Sequence, residues 1–290
     1  MKKFTILIPV YNDWESLNKL LYEINSTIEN IKNVEFKCVI INDASTESTP
    51  EINVPSNIES IKIINMKINK GHARCNAFGI RYLAQNNEFD HVILMDGDGE
   101  DRPVEIKLLV EMAIQNENIS VVAKRTKRSE GLFFQLLYKI HKIITIVFTG
   151  KNVNFGNYSC LTKKDIITLS TKESLWSSFS GSLKKHIPNL NSINSMRGLR
   201  YFGPSKMSLF NLIIHSFSII AVFKKNVLLR SSIAIFFLSY FSTTANFKVI
   251  ILQFLLVLFS LIIFVVSLRE NKKDFLKSSD NEQSSKTYTH

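Results

Sequence analysis

The densest set of side chains that could do chemistry is the segment Met95-Asp96-Gly97-Asp98-Gly99-Glu100-Asp101, where four acidic residues fall within six positions. It directly follows an apolar run, 91–95, that is typical of a buried strand. Carboxylates this close raise one another's pKa, and a hard divalent cation removes that cost. Mg²⁺ in proteins takes one or two carboxylates and completes its shell with substrate phosphates. The segment therefore predicts a site for Mg²⁺ or Mn²⁺ bridging a diphosphate, with a solvated acidic turn as the alternative.

Three further polar segments follow predicted strands or open a predicted helix: Ile8-Pro9-Val10-Tyr11-Asn12-Asp13, Asn42-Asp43-Ala44-Ser45 and Asn69-Lys70-Gly71-His72-Ala73-Arg74. In isolation the first two are ordinary turns, with Asp13 as a helix N-cap. The third opens a helix, and helix N-termini favour phosphate, although a solvated basic N-terminus has the same pattern. Each segment alone is weak evidence for a binding site, so its position in the fold decides whether it belongs to one.

The spacing of apolar residues predicts strands that alternate with helices in the first half of the chain. The predicted strands are 4–10, 36–41, 61–64, 91–95 and 119–123, and the predicted helices are 14–30, 71–85 and 103–116. This alternation is typical of an α/β fold whose mainly parallel sheet is covered on both faces. Ligands of such sheets bind outside the carboxyl ends of the strands. We therefore expect the polar segments to converge on one crevice.

The net charge of +11 indicates anionic partners. Basic residues interleave with apolar runs near 124–142 and 197–230 and recur at 269–277, a pattern that favours a membrane surface and phosphates. A nucleic-acid partner is therefore not expected. The three cysteines, Cys38, Cys75 and Cys160, are far apart without metal-binding spacing, which is typical of reduced thiols in the cytosol.

Apolar residues gather in the last third of the chain. Residues 249–268 contain one strongly polar residue, Gln253, and are long enough to cross the hydrocarbon core. Residues 227–241, extended to 244, predict a second span. Residues 132–148 and 207–223 are interrupted by polar side chains and predict amphipathic helices at the membrane interface. For 207–223, a membrane-spanning helix stays open as the alternative.

The resulting domain prediction is a catalytic domain at 1–205, an interfacial helix at 206–225, a transmembrane hairpin at 226–268 and a polar tail at 269–290, mostly disordered. Basic residues lie on both outer sides of the hairpin, and one lysine lies in its loop. Because basic flanks stay in the cytosol, we expect a multi-pass protein of the inner (cytoplasmic) membrane with a cytosolic catalytic domain.

Together and in this order, the four polar segments resemble those of the family 2 glycosyltransferases of the GT-A fold. The acidic segment, running into Asp101-Arg102-Pro103, resembles the branch that contains dolichyl-phosphate-mannose synthases and bacterial polyprenyl-phosphate glycosyltransferases. Further matches are Lys124-Arg125-Thr126-Lys127-Arg128, Phe155-Gly156-Asn157-Tyr158 and the spaced residues Arg197, Arg200, Tyr201, Gly203, Ser205 and Lys206.

The resemblance implies a nucleotide-sugar donor, a polyprenyl-phosphate or other lipid-linked acceptor, and roles for individual residues. Residues implied to bind substrate are Pro9, Tyr11, Asp13, Asp43, Lys70, Arg74, Asp96, Arg197, Arg200 and Lys206, with the first four lining the nucleoside pocket. Residues implied to act in catalysis are Asp98, Asp101, Arg125 and Arg128, and those implied to hold the metal are Asp96, Asp98 and Glu100. The sequence leaves open whether the donor nucleotide is UDP or GDP, which sugar is transferred and what the oligomeric state is. A homo-oligomer that forms through the hairpin is consistent with the resemblance.

The sequence departs from the family pattern at two sites. Asn42 replaces the first Asp of a pair, and Asn157 stands where related bacterial enzymes often have Asp. Transfer to a polyprenyl phosphate needs no general base, so Asn157 is compatible with it. Two alternatives stay open: transfer to a hydroxyl, which requires a base such as Asp101, Glu100 or His141, and a non-catalytic nucleotide-sugar-binding membrane protein.

Overall fold

The computed structural model describes residues 1–86, 88–127, 132–204, 208–242 and 246–290. Its strands are β1 Lys2–Val10, β2 Val34–Asn42, β3 Ser60–Met66, β4 His91–Leu94, β5 Val121–Lys127, β6 Phe155–Thr162, β7 Asn191–Met196 and β8 Glu282–Thr289. Its α-helices are α1 Trp14–Ile28, α2 His72–Asn86, α3 Ile106–Gln115, α4 Leu132–Thr149, α5 Lys163–Leu169, α6 Phe179–His186, α7 Leu209–Ala221, α8 Lys224–Phe241, α9 Phe247–Ser267 and α10 Lys272–Leu276.

All of these strands join one sheet in the order β7-β5-β6-β4-β1-β2-β3-β8. The centre, β4-β1-β2-β3, is parallel, as is the pair of β5 with β7, whereas β6 and β8 run antiparallel to their neighbours. The prediction of a mainly parallel α/β sheet is therefore confirmed.

Apolar side chains of the central strand pack alternately on the two faces of the sheet. Ile6 and Ile8 face a core that contains Leu17 of α1, whereas Leu7 faces the core that contains Phe78 of α2. A Cβ atom on Gly79 of α2 would lie 2.6 Å from Leu7 Cδ1, so glycine lets this helix approach the sheet closely. Burial on both faces explains the continuous apolar runs of the central strands.

The parallel centre of the sheet brings three polar turns to one edge. Val10 at the end of β1 pairs with Asn42 at the end of β2, and Leu7 of β1 pairs with Leu94 at the end of β4. The turns that follow these strands therefore lie side by side. In open parallel sheets, ligands bind at this edge, outside the carboxyl ends of the strands.

Helices α4, α7, α8 and α9 share a small apolar cluster apart from the two sheet cores. Within the described residues, one helix is long and apolar enough to span a membrane; it begins at Phe247 and has a mean hydropathy of 3.2. Helices α7 and α8 pass that test only together, and the chain bends by 82° between them. The two-span hairpin is thus not confirmed and stays a prediction. The predicted end of its first span, residue 244, lies outside the described residues.

The predicted disorder of the polar tail is wrong. Residues Lys272–Leu276 form α10, and Glu282–Thr289 form β8, which pairs antiparallel with β3 at the edge of the sheet. The side chain of Phe275 is buried in the same core as Phe78. Main-chain pairing on a free sheet edge, together with this apolar anchor, orders a segment whose composition alone is typical of disorder.

Candidate active site

The acidic segment after β4 folds back on itself. The Asp96 backbone N–H donates to Asp101 Oδ2 at 3.0 Å, and the Glu100 backbone N–H donates to Asp98 Oδ1 at 3.0 Å. Gly99 has a φ of +86°, which L-residues with a side chain rarely adopt. These contacts hold four carboxyl groups in one tight loop, which we call the acidic loop (96–101).

A second segment, the arginine loop (197–204), covers the acidic loop. Its backbone is bound there, because the Gly198 N–H donates to the Glu100 carbonyl at 2.8 Å and the Tyr201 N–H donates to the Asp98 carbonyl at 3.0 Å. A Cβ atom on Gly198 would lie 2.7 Å from the Gly99 carbonyl oxygen. Only glycine therefore allows the two backbones to approach this closely.

The arginines of this second loop pair with the acids of the first. Arg200 donates from Nη1 to Asp98 Oδ2 at 2.8 Å, and its Nη2 pairs with Asp13 in the turn after β1. Arg197 pairs with Glu100. The arginine loop thus connects the turns that follow β1 and β4 through charge-assisted hydrogen bonds, which are stronger than neutral ones.

Asp96 and Asp101 face partners from other elements. Asp96 Oδ1 contacts His72 Nε2 at the start of α2 at 2.9 Å and accepts from Asn157 Nδ2 of β6 at 3.2 Å. Asp101 Oδ1 lies 3.4 Å from Arg125 Nη2 of β5. Elements from across the sheet therefore contribute to one charged cluster.

Burial and crowding of the carboxyl groups shift their pKa values. Burial, with the neighbouring Asp96 and Glu100 carboxylates, raises the pKa of Asp98 to about 6. Burial and the Asp96 charge raise the pKa of Asp101 to about 7. Burial would also raise the pKa of Asp96, but the His72 charge and hydrogen bond outweigh it and hold that pKa well below its usual range. The loop therefore concentrates negative charge that a cation would stabilise.

At the end of β2, Asp43 closes the turn that follows this strand onto the segment before α2. Its two carboxylate oxygens accept the backbone N–H groups of Lys70 and Gly71 at 2.9 and 2.8 Å. Burial raises the pKa of Asp43, and these two hydrogen bonds oppose the rise. The turn after β1 is tied to the turn after β2, because the Asn12 N–H donates to Ser45 Oγ at 2.9 Å.

The structure places most of the predicted site residues around this crevice. Pro9 and Tyr11 lie at the end of β1 and just beyond it, with Tyr11 exposed, and Lys70 is exposed before α2. Arg74 lies over the Trp176 ring, with its Cζ atom 5.7 Å from the ring centroid. Arg128 and Lys206 lie outside the described residues.

Two contacts of the site were not predicted from sequence. His72 was part of a quoted motif, but nothing local indicated its contact with Asp96. Tyr201 donates from its hydroxyl to Glu23 Oε2 of α1 at 2.6 Å, which fixes the arginine loop against the first helix. Both contacts join residues distant in sequence, so only the fold reveals them.

The donor set of the acidic loop fits a divalent cation that shares its coordination with a ligand. Among the described residues, no group of three His, Cys, Asp or Glu side chains is arranged to hold a metal ion alone. Mg²⁺ needs only one or two carboxylates when substrate phosphates complete its shell. Asp96 and Asp98 supply two carboxylates at the edge where ligands of parallel sheets bind, so the residues present fit such a shared site.

Sequence comparison places the chain among known proteins. The family model described as Glycosyl transferase family 2 matches residues 5–177. An undecaprenyl-phosphate 4-deoxy-4-formamido-L-arabinose transferase from Salmonella choleraesuis (strain SC-B67) is 29% identical over 165 residues, which are 56% of this chain and 48% of that protein. The protein of the same name from Photorhabdus laumondii is 27% identical over 164 residues, 56% of this chain and 49% of that protein. The chain thus spans about half the length of the curated relatives it matches.

Two solved structures share the fold. Glucosyl-3-phosphoglycerate synthase from Mycobacterium tuberculosis, in complex with Mn²⁺, UDP-glucose and phosphoglyceric acid, has a TM-score of 0.52 at 11% identity, covering 78% of this chain and 80% of that one. S. aureus TarS 1-349 in complex with UDP-GlcNAc has a TM-score of 0.52 at 14% identity, covering 97% and 92%. The mainly parallel sheet, the acidic loop at its edge and the matched residues lead to one assignment: the chain belongs to glycosyltransferase family 2 and has a GT-A-like α/β fold.

Proposed function

We propose that the protein transfers a sugar from a UDP- or GDP-sugar to polyprenyl phosphate at the cytosolic face of the inner membrane, with inversion at the anomeric carbon. The observation that carries this proposal is the cluster at the carboxyl edge of the sheet, where Asp98 pairs with Arg200 and Asp101 with Arg125. The acceptor is supported by the name of the curated relatives, undecaprenyl-phosphate 4-deoxy-4-formamido-L-arabinose transferase.

The donor would bind across the ends of β2, β1 and β4. The closed turn at Asp43 would face the nucleoside, while Asp96 and Asp98 would hold the divalent cation beside the diphosphate. Bound Mg²⁺ or Mn²⁺ would neutralise the negative charge of the diphosphate as it leaves. Glu100 is a third carboxylate within reach of the same loop, although Arg197 pairs with it.

The arginines would exchange partners when the donor arrives. A guanidinium binds phosphate oxygens with the same two-pronged geometry that it uses for carboxylates. Arg197 and Arg200 already lie against the acidic loop, so a short side-chain movement would bring them from carboxylates to the diphosphate. Arg125, which lies on β5, would face the phosphate of the acceptor.

The chemical step would be a single displacement. An oxygen of the acceptor phosphate would form a bond to the anomeric carbon while the bond to the donor diphosphate breaks, and the nucleoside diphosphate would leave with the electron pair. Since the acceptor phosphate is already anionic near neutral pH, no side chain has to remove a proton. Catalysis would rest on positioning and on stabilising the leaving charge.

The apolar helices would present the catalytic domain to its lipid substrate. Helix α9 would span the membrane with α8 as the second arm of a hairpin, linked to it by the hydrogen bond from Gln253 Nε2 to Ser239 Oγ at 2.8 Å. Helices α4 and α7 would lie at the interface beside the crevice. This arrangement would deliver the phosphate of a membrane-embedded acceptor to the sheet edge.

Transfer to a hydroxyl acceptor is less well supported because it requires a general base. Asp101 has a raised pKa, but its side chain is buried, accepts the Asp96 N–H and pairs with Arg125. Asn157, which contacts Asp96, has no basic atom. The contacts of these two residues thus favour an acceptor that needs no deprotonation.

The proposal is tested by incubating the detergent-solubilised protein with labelled UDP- and GDP-sugars, undecaprenyl phosphate and Mn²⁺ or Mg²⁺. Label entering the organic phase only when metal and acceptor are both present would support the proposal and identify the sugar. Metal-dependent nucleotide binding without any lipid-linked product from the panel would refute it and favour the non-catalytic alternative.

A further inference from the structure

After α9, its last apolar helix, the chain returns to the side of the sheet where Asp43 lies in the turn after β2. We call residues 269–289, which contain α10 and β8, the C-terminal segment. β8 pairs with the whole of β3, from Ser60 opposite Thr289 to Met66 opposite Glu282. β8 therefore begins its pairing opposite Met66, where the segment leading to Lys70 and Gly71 also begins.

Asn281, which directly precedes β8, binds both polar backbone groups of Ile68. Its Oδ1 accepts the Ile68 N–H at 3.1 Å, and its Nδ2 donates to the Ile68 carbonyl at 2.9 Å. The Asn281 carbonyl accepts the Lys67 N–H at 2.7 Å. Residues 67–68 are thus fixed two positions before the Lys70 and Gly71 N–H groups that bind Asp43.

A second set of contacts runs from β8 to the turn after β2. Ser284 Oγ accepts from Asn65 Nδ2 at 3.1 Å, and Asn65 Oδ1 accepts from Asn42 Nδ2 at 2.9 Å. Asn42 Oδ1 then accepts the Ser45 N–H at 3.0 Å. An ionised aspartate at position 42 could not donate to Asn65 Oδ1, so asparagine suits the amide orientation of this chain of contacts.

The C-terminal segment is also anchored near α9. Phe275 packs against Trp176, with ring centroids 6.1 Å apart, and Arg81 of α2 lies over the Phe275 ring. Arg81 donates to Ser278 Oγ and to the Leu276 carbonyl, both at 3.1 Å. This anchor fixes the segment independently of its contacts with residues 65–68.

We propose that Asn281 and Ser284 are positioning residues for the donor nucleotide, acting through residues 67–71 and 42–45. The inference rests on the proposed function, because it assumes that Asp43 and its two turns form the nucleoside pocket. Loss of these side chains leaves the sheet and the acidic loop intact but loosens the walls of the pocket. Donor affinity falls, whereas the rate of the bound complex changes little.

The test compares Asn281→Ala, Asn281→Asp and Ser284→Ala with Thr287→Ala, an exposed position on the same strand. Each full-length protein is assayed for donor KM, kcat, the Kd of UDP and of GDP with Mn²⁺, and melting temperature. Asn281→Ala loses two neutral hydrogen bonds, so we expect donor KM and nucleotide Kd to rise roughly tenfold while kcat stays within about twofold. Asn281→Asp retains the acceptor for the Ile68 N–H and gives an intermediate rise, and Thr287→Ala matches the wild type.

Two results would overturn the inference in distinguishable ways. If the wild type binds neither nucleotide, the proposed function and the inference fail together. If the wild type binds and the Asn281 variants keep its Kd and KM, only the inference fails. Should Asn281→Ala not fold, Asn281→Asp and Ser284→Ala give the same comparison, and unchanged nucleotide affinity in both would also overturn it.

Discussion

Arg200 donates from Nη1 to Asp98 Oδ2 at 2.8 Å, joining two residues that are 102 positions apart in the chain. In the proposed metal site, the guanidinium would occupy the position at this carboxylate that the divalent cation takes. Because Asp98 is largely buried among other acids, its negative charge needs a positive partner. If Asp98 holds the metal as proposed, the arginine and the metal ion would compete for one carboxylate.

The first prediction concerns this competition. Arg200→Ala should bind Mn²⁺ at least about tenfold more tightly without nucleotide, since a hydrogen bond to a charged group is worth roughly 1.5 kcal/mol or more. The same variant should lose about 100-fold in kcat/KM, because the arginine no longer stabilises the donor phosphates. Mn²⁺ binding is followed by electron paramagnetic resonance, with Lys107→Ala on the exposed face of α3 as the control. Unchanged Mn²⁺ affinity in Arg200→Ala would contradict the competition.

The second prediction concerns Asp98 itself. Asp98→Asn removes a carboxylate but keeps the shape of the side chain, so transfer should fall at least about 100-fold and Mn²⁺ should no longer strengthen nucleotide binding. Isothermal titration with and without Mn²⁺ measures the second effect separately from activity. Glu111→Gln, which removes a charge from an exposed ion pair on α3, is the matched control. Mn²⁺-enhanced nucleotide binding that survives in Asp98→Asn would refute the assignment of this residue.

The third prediction concerns the close contact between the acidic and arginine loops. In Gly198→Ala, the new Cβ would meet the Gly99 carbonyl oxygen at 2.7 Å, so one backbone must move. We expect kcat/KM to fall at least about tenfold and the protein to lose about 1–3 kcal/mol of stability, the usual cost of overpacking. Gly203→Asn serves as control, because a Cβ there meets nothing within 4 Å and asparagine tolerates positive φ. Wild-type activity in Gly198→Ala would show that the two loops need not approach this closely.

The fourth prediction uses the departure at Asn157. In Asn157→Asp, a second carboxylate replaces the amide that donates to Asp96 Oδ1 at 3.2 Å, so like charges repel. We expect kcat/KM to fall roughly tenfold, the size of effect that one lost and one repulsive contact produce. Asn194→Asp, at an exposed position of β7, introduces the same charge away from the site. A rise in kcat in Asn157→Asp would mean that a base at position 157 accelerates the transfer. That result would contradict the proposal, because an anionic phosphate acceptor needs no base.

The central sheet could be predicted from sequence because its strands are apolar and end in polar turns. β1, β2 and β4 were each placed within two residues of their observed limits, and the mainly parallel order followed from the alternation with helices. Strands β6, β7 and β8 were not predicted. In β6, Gly156, Asn157 and Ser159 interrupt the apolar residues, and the sequences of β7 and β8, Asn191–Met196 and Glu282–Thr289, are mostly polar. Pairing with a neighbouring strand, not local preference, stabilises such edge strands.

The site was predictable where residues are adjacent in sequence and unpredictable where they are not. Asp96, Asp98 and Glu100 could be grouped because they share one loop, and the family resemblance added the arginines. The pairing of Arg200 with both Asp13 and Asp98, and the contact of His72 with Asp96, depend on how β1, β4 and α2 meet. Local patterns carry no information on such contacts. The ordered C-terminal segment was missed for the same reason.

The most direct test of the central claim is to compare undecaprenyl phosphate with undecaprenol as acceptors, using one labelled nucleotide-sugar, Mn²⁺ and the full-length protein in detergent. The proposal predicts a labelled lipid product with undecaprenyl phosphate and none with undecaprenol, because only the phosphate provides an oxygen that is already anionic. Equal or faster labelling of undecaprenol would contradict it, and would mean that a base within the crevice activates a hydroxyl.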